Sequence, residues 1–294
     1  MRVMVETILI TGATGTVGSE VVKQLSSNMT DINIKAAVHS IENAKKVQYD
    51  KVEVVQIDYN KPETLKEAFK DADKLFLLTH PSPKSAEHES NLVTEAKKAG
   101  IRHIVKQSIM GADLQADVEA MRLHRQAEKI IEESGIPYTF LRPNEFMQGF
   151  INFQGPTIKS NNAFYLPAQD AKVSIVDVRD IAAVAVKALT DDNKHNNKTY
   201  LITGPETLSY YQAAEILSNA TGKKIGYVNV SDEEARAAMK ETGMNDWLIN
   251  TILELYKYFR KGYASEVSST VEEVTGKKQI TFAQFAKDYA EAFR

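Results

Sequence analysis

The sequence predicts an α/β chain: a doubly wound parallel sheet followed by a smaller, mostly helical lobe. Three observations predict it. Ile8-Leu9-Ile10 runs straight into glycines at 12, 15 and 18, and an amphipathic segment follows, which reads as strand, tight turn, helix. Apolar runs and helical-period segments then alternate, which implies right-handed crossovers in one parallel sheet. Leu75-Phe76-Leu77-Leu78 has no polar member, as expected of a strand covered by helices on both faces.

The elements follow in order. Val17, Val21, Val22 and Leu25 recur at helical spacing, and the polar Ser26–Asp31 reads as the loop out. Ile32–Val38 is the second strand, and a short helix covers Glu42–Gln48. Val52–Ile57 is the third strand, and Pro62 opens the next helix, where its missing N–H does no harm. The fourth strand empties into Thr79-His80-Pro81-Ser82-Pro83, which continues as neither strand nor helix. A helix through Leu92, Val93 and Ala96 stops at Gly100, a fifth strand covers Ile101–Ser108, and a helix ends at Gly135 before the sixth strand, Pro137–Arg142. Beyond Asn144 the alternation loosens. Val173–Val176 reads as a strand, Asp177 and Asp180 as caps of the helix through Leu189, and Thr199–Thr203 as a last strand returning to the sheet. Ser209 with Gln212 forms a capping box, and Thr281 with Gln284 caps the last helix. The expected division is a dinucleotide-binding domain over 1–150, rejoined by 173–203, and a substrate lobe over 151–172 and 204–294, set over the carboxyl ends of the strands where ligands bind such sheets.

The glycine turn supplies the chemistry. Backbone N–H groups and a helix N-terminus there favour a pyrophosphate, with one glycine for the turn, one for close approach and one for helix–strand packing. Gly12, Thr14, Gly15, Thr16, Val17 and Gly18 are the candidate phosphate residues, at the spacing G-x-x-G-x-x-G. With this turn the sheet is of the Rossmann type. About 20 residues further on, where a carboxylate would favour NAD, stand Val38-His39-Ser40, with Lys45 and Lys46 beyond. His39 and Ser40 either donate to a 2′-phosphate or form a solvated strand end; the cofactor is NADP or NAD, with a slight preference for NADP. Asp58 either accepts from the adenine amino group or starts a turn.

Composition narrows the function. The 294 residues, 43% hydrophobic and 26% charged, suffice for one large domain or two modest ones. A net charge of −3 without a basic run argues against nucleic acid and anionic membranes. The absence of cysteine removes disulfides, thiolate metal sites and cysteine nucleophiles. The six histidines show no zinc-site spacing, and neither a Gly-x-Ser-x-Gly elbow nor a Gly-Lys-Ser/Thr phosphate loop occurs. No apolar run approaches the roughly 20 residues of a membrane span, so the expectation is a cytoplasmic protein acting on a small molecule, without metal. Its oligomeric state is open.

Candidates for the reacting end are fewer. His124 and Glu128 lie one turn apart on one face of the helix after the fifth strand, so Glu128 is expected to orient or charge the imidazole; equally, His124 is a boundary residue beside Leu123, Ala127 and Ile131. Thr79 and His80, in the loop after the fourth strand, and Ser108, at the end of the fifth, either contact the ligand or are an ordinary turn and strand end. Phe146, Phe150 and Trp247, with Phe164 and Tyr165, either line an apolar substrate pocket or belong to the core.

Several stretches carry a family resemblance: Thr11-Gly-Ala-Thr-Gly-Thr-Val-Gly18, Asp58-Tyr-Asn-Lys-Pro62, His124 with Glu128, Gly135-Ile-Pro-Tyr-Thr-Phe-Leu-Arg-Pro143 and Val176-Asp-Val-Arg-Asp-Ile181. Together they resemble the NmrA-like, atypical short-chain dehydrogenase/reductases, and within them the bacterial NAD(P)H:quinone oxidoreductases and triphenylmethane reductases. The resemblance implies a Rossmann domain, a small C-terminal substrate domain, bound NADP or NAD, and hydride transfer to a planar apolar acceptor such as a quinone or dye. Two departures bear on function. The usual Tyr and Lys of short-chain dehydrogenases are replaced by Ala120 and His124, and the reductases' 2′-phosphate arginine is replaced by His39. The family's regulatory members, which bind dinucleotide without evident catalysis, supply the alternative: a redox sensor.

Overall fold

The computed structural model describes residues 5–28 and 31–294. Seven strands form the main sheet: β1 (Glu6–Ile10), β2 (Ile32–Val38), β3 (Val52–Gln56), β4 (Lys74–Leu77), β5 (His103–Gln107), β6 (Tyr138–Pro143) and β9 (Lys198–Ile202). Their order is β3-β2-β1-β4-β5-β6-β9, and the chain reverses its winding direction between β1 and β4. The doubly wound sheet expected from the sequence is therefore present, with β9 added at its far edge. Pairing registers from β3 through β6 are parallel, with Leu9 opposite Leu75 and Leu77 opposite Lys106. Leu9, Leu75, Leu77, Ile104 and Phe140 are buried with Leu92, Ala96 and Ile131 of the covering helices. Each such large side chain contributes about 1.5–3 kcal/mol by leaving water.

The covering helices include α1 (Thr16–Asn28), α2 (Pro62–Phe69), α3 (Ser85–Ala99) and α4 (Glu119–Ser134). Helix α1 runs three residues into the expected loop because Ser26 turns its hydroxyl back onto Val22 O, at 2.8 Å, and leaves the helix intact. Of the rest of that expected loop, Met29 and Thr30 lie outside the described residues and Asp31 leads into β2. The short helix after β2 is a 3₁₀ turn over Ile41–Val47.

The chain forms two compact units, 1–114 with 121–142 and 181–200, and 115–120 with 143–180 and 201–294. Apart from 115–120, the first unit thus gives way to the second at Arg142/Pro143 rather than at 150, and of the segment expected to return, 173–180 and 201–203 belong to the second unit. The second unit has an aromatic core of its own, in which Phe150, Phe164, Tyr210, Phe282 and Phe285 are buried. It contains α5 (Gly155–Asn161), α7 (Tyr210–Thr221), α8 (Asp232–Glu241), α9 (Asp246–Arg260), α10 (Thr270–Thr275) and α11 (Phe282–Asp288), while α6 (Val178–Thr190) spans the division. Two small sheets accompany them: β7 (Ala163–Leu166) with β11 (Gly226–Asn229), and β8 (Lys172–Val173) with β10 (Leu208–Ser209). The strand expected over Val173–Val176 stops at Val173. Beyond it, Ser174 N–H donates to Ala264 O at 3.0 Å and its hydroxyl to Glu266 O at 2.6 Å, so the segment is held by an irregular neighbour. The capping box at Ser209 and the Thr281 cap are present as expected. Among the described residues no helix is long and apolar enough to cross a membrane.

Candidate functional site

The glycine turn is shaped for close approach. Gly12 has φ +63°, and a Cβ there would sit 2.9 Å from Leu78 O. At Gly18 a Cβ would come within 2.2 Å of Gly12 O, so only glycine lets α1 pack against the turn. Thr11 closes the gap between β1 and β4: its hydroxyl accepts from Leu78 N–H and donates to Leu78 O, both at 2.9 Å. The first helical bond shown is Ser19 N–H to Gly15 O at 2.9 Å, so the amides of Thr16, Val17 and Gly18 lie ahead of it. Gly15 and Thr16 are exposed, and α1 has no acidic residue in its first turn to repel an anion. This is a fitting cradle for a pyrophosphate, at the point where the sheet reverses.

Beside it, the carboxyl ends of β4 and β5 carry buried charge. Lys106 is fully buried, and its ammonium meets Glu89 Oε2 at 2.6 Å, Gln107 O at 3.1 Å and His124 Nδ1 at 3.4 Å. Glu89, on α3, also accepts from the Thr79 hydroxyl at 2.9 Å. Just beyond the end of β5, two residues from Lys106, Ser108 donates to Glu128 Oε1 at 2.6 Å. Arg142 clamps Glu128 through Nε at 2.9 Å and an Nη at 2.5 Å, and Arg125 adds a bond at 3.1 Å. Helix α4 presents Met121, His124, Glu128 and Ile131 at apolar-face spacing, which is why both polar groups point inward. Burial first, and the Lys106 ammonium second, hold the His124 imidazolium well below its usual range. The ring is therefore neutral at pH 7. Among the described residues the ring's one hydrogen-bond partner is Lys106, at Nδ1, which leaves Nε2 without one.

A family model described as NmrA-like matches residues 4–286. The chain belongs to the NmrA-like family. It is 38% identical to the NAD(P)H azoreductase of Xenophilus azovorans over 97% of this chain and 99% of that protein. The structure of an NADPH-dependent quinone oxidoreductase from Escherichia coli, complexed with NADPH, is 27% identical with a TM-score of 0.85 and covers 96% of this chain and 99% of that one. The Citrobacter sp. triphenylmethane reductase complexed with NADP(H) is 28% identical with the same TM-score and the same coverage.

Within this NmrA-like chain several expected roles change. Glu128 does not orient His124: its carboxylate is taken by Ser108, Arg125 and Arg142, and Lys106 is the group that meets the ring. Thr79 and Ser108 commit their hydroxyls to Glu89 and Glu128, so neither offers a free hydroxyl proton to a ligand. Asp58 makes a turn. It accepts from Asn60 N–H at 3.0 Å and pairs with Lys61 at 3.4 Å, and the Asn60 amide foremost holds its carboxyl below the usual range. Phe150 is a core residue, 2% exposed, with its ring edge-on to Phe164 and Phe282. Phe146 is half-buried and bridged to Val176, and Trp247, on α9, is half-buried with its indole N–H shielded and unpartnered. His39 and His80 are exposed, and the Ser40 hydroxyl caps no amide of the following 3₁₀ turn. No metal-binding group of His, Asp or Glu occurs among the described residues.

Sequence reasoning missed Lys106, Glu89 and Arg142. Two of them had a signal. Lys106 interrupts the buried strand Ile104-Val105, and Glu89 takes an apolar-face position with Leu92, Val93 and Ala96 on α3.

Proposed function

We propose that this chain is an NAD(P)H-dependent reductase whose acceptor is a planar, apolar, electron-poor compound such as an azo dye, a quinone or a triphenylmethane dye. The observation that carries the reading is a juxtaposition. A phosphate cradle follows β1, Thr11 ties it to the end of β4, and a neutral histidine with an unpartnered ring nitrogen stands beside the end of β5, next to β4. The names of the three relatives support the same class of chemistry.

Gly12, Thr14, Thr16, Val17 and Gly18 would hold the pyrophosphate through backbone amides, Gly15, whose own amide donates to Gly12 O at 2.9 Å, would give the close approach, and His39 and Ser40 would hold the adenosine ribose end. No carboxylate directly follows β2 to repel a 2′-phosphate, which supports NADP, with NAD also accommodated. The bound dinucleotide supplies the hydride. Reduction of a quinone in this way consumes one NAD(P)H and one proton and yields the quinol. An acceptor that leaves as a stabilised anion needs little general acid, so Ala120 in place of a tyrosine is compatible with turnover. The protein's own contribution is to bind, orient and keep the site's charges fixed before the substrate arrives.

The test is oxidation of NADPH and NADH against a panel of azo dyes, quinones and triphenylmethane dyes. Turnover with at least one acceptor class is expected. Tight binding of the oxidised cofactor with no turnover on any acceptor would replace the reductase by a dinucleotide sensor.

A further inference from the structure

Lys106 is a buried ammonium with three N–H donors and no acceptor, and the structure gives it three partners. Glu89 Oε2, at 2.6 Å, neutralises it, and Gln107 O, at 3.1 Å, takes a second donor. Its remaining polar contact is His124 Nδ1, at 3.4 Å. A ring nitrogen facing an ammonium must present its lone pair, so the proton of a neutral ring resides on Nε2. A protonated ring would put two cations in contact inside the protein. The groups facing His124 are few. Lys106 comes from β5, Glu89 stands behind that ammonium on α3, and Glu128, one turn along α4, has both oxygens bonded to Ser108, Arg125 and Arg142. Among the described residues, no carboxylate is bonded to the imidazole.

We infer that Lys106 is a positioning residue that locks His124 as its neutral Nε2–H tautomer, making the ring a fixed hydrogen-bond donor and not a source of protons. Resting on the reductase reading, the ring N–H serves an oxygen acceptor, a ribose hydroxyl or carboxamide oxygen of the dinucleotide or a carbonyl of the substrate. The proton that completes reduction then comes from solvent. That selects acceptors whose hydride adduct is a stabilised anion, as with a quinone, or neutral, as with a cationic dye, and it disfavours simple ketones, whose alkoxides need an acid at once.

The tautomer is read directly in the free protein, without cofactor or substrate, by long-range proton–nitrogen correlation on histidine-labelled chain, with the His124→Gln variant for assignment. The expected spectrum shows an unprotonated Nδ1 and a protonated Nε2, with no titration in the ordinary histidine range. A proton on Nδ1, or titration near 6.5, overturns the inference whether or not the chain proves to be a reductase. The double substitution Lys106→Met with Glu89→Gln removes both buried charges together and so keeps the site neutral. In it His124 should lose its fixed tautomer and titrate at higher pH than in the native chain, and an acid limb should enter the pH profile of kcat. Unchanged His124 resonances in that variant would likewise overturn the proposed role of Lys106.

Discussion

Two buried lysines stand at opposite ends of neighbouring strands, and each faces a histidine. At the amino end Lys74 opens β4, donates to Leu189 O at 2.7 Å and pairs with Glu6 at 3.0 Å. Opposite it in register is His103, whose imidazolium is pushed down to about 4, first by burial and next by Lys74. At the carboxyl end Lys106 does the same to His124. The difference lies in how each ring is enclosed. His103 Nε2 meets the Thr139 hydroxyl at 2.9 Å, that hydroxyl donates on to His195 O at 2.6 Å, and Nδ1 is buried without a partner, so the ring is closed into the fold at 2% exposure. His124 is only half-buried, and its Nε2 has no hydrogen-bond partner among the described residues. The same couple is thus structural at one end of the sheet and available at the other, where open α/β sheets bind their ligands.

The comparison breaks first on stability. Lys106→Met strands a buried carboxylate at Glu89 and should cost about 3–5 kcal/mol in urea unfolding. Lys74→Met should cost only about 1–2 kcal/mol, because Glu6 is partly exposed and keeps Arg102 at 2.9 Å. Equal losses would erase the distinction between the two lysines.

Acid stability comes next. His103 stays neutral in the folded chain down to about 4, whereas the unfolded chain protonates it below 6.5. Its contribution is therefore complete above 6.5 and falls away as the pH drops toward 4, by about 3 kcal/mol. His103→Gln keeps a donor for Thr139 and should remove that part of the slope. Parallel stability–pH curves for the two proteins would show that His103 protonates equally in both states.

The smallest effect is on turnover. His124→Gln, whose amide oxygen still accepts from Lys106, should lower kcat/KM about 10- to 100-fold while moving the unfolding free energy by less than about 1 kcal/mol. His103→Ala should do the reverse, destabilising the fold and leaving the folded enzyme active. A His124 variant with native turnover would make both histidines structural.

The contrast also explains what could be read from the sequence. Strand and helix periods are local, so the glycine turn, the alternation and the caps at Ser209 and Thr281 were legible residue by residue. Partners are not local. Spacing placed His124 and Glu128 on one face of α4, yet spacing gives a face and not a neighbour. Ser108 and Arg142 reach Glu128 from β5 and β6, and Lys106 reaches His124 from β5. The charges that were missed announced themselves only as violations, a lysine in a buried strand and a glutamate on an apolar helix face. Phe150 went the other way. Its aromatic neighbourhood suited a pocket as well as a core, and only packing against Phe164 and Phe282 decides for core.

The central claim, reduction by direct hydride delivery at a site without a protein acid, is tested most directly in a single turnover. Enzyme loaded with NADPH carrying deuterium at the transferred C4 position is mixed with an accepted azo dye or quinone, and cofactor decay is followed from pH 6 to 8. A primary isotope effect that persists across this range, with no inflection from a histidine, is the predicted result. Decay that is insensitive to the label, or that follows a single ionisation near 6.5, would contradict it.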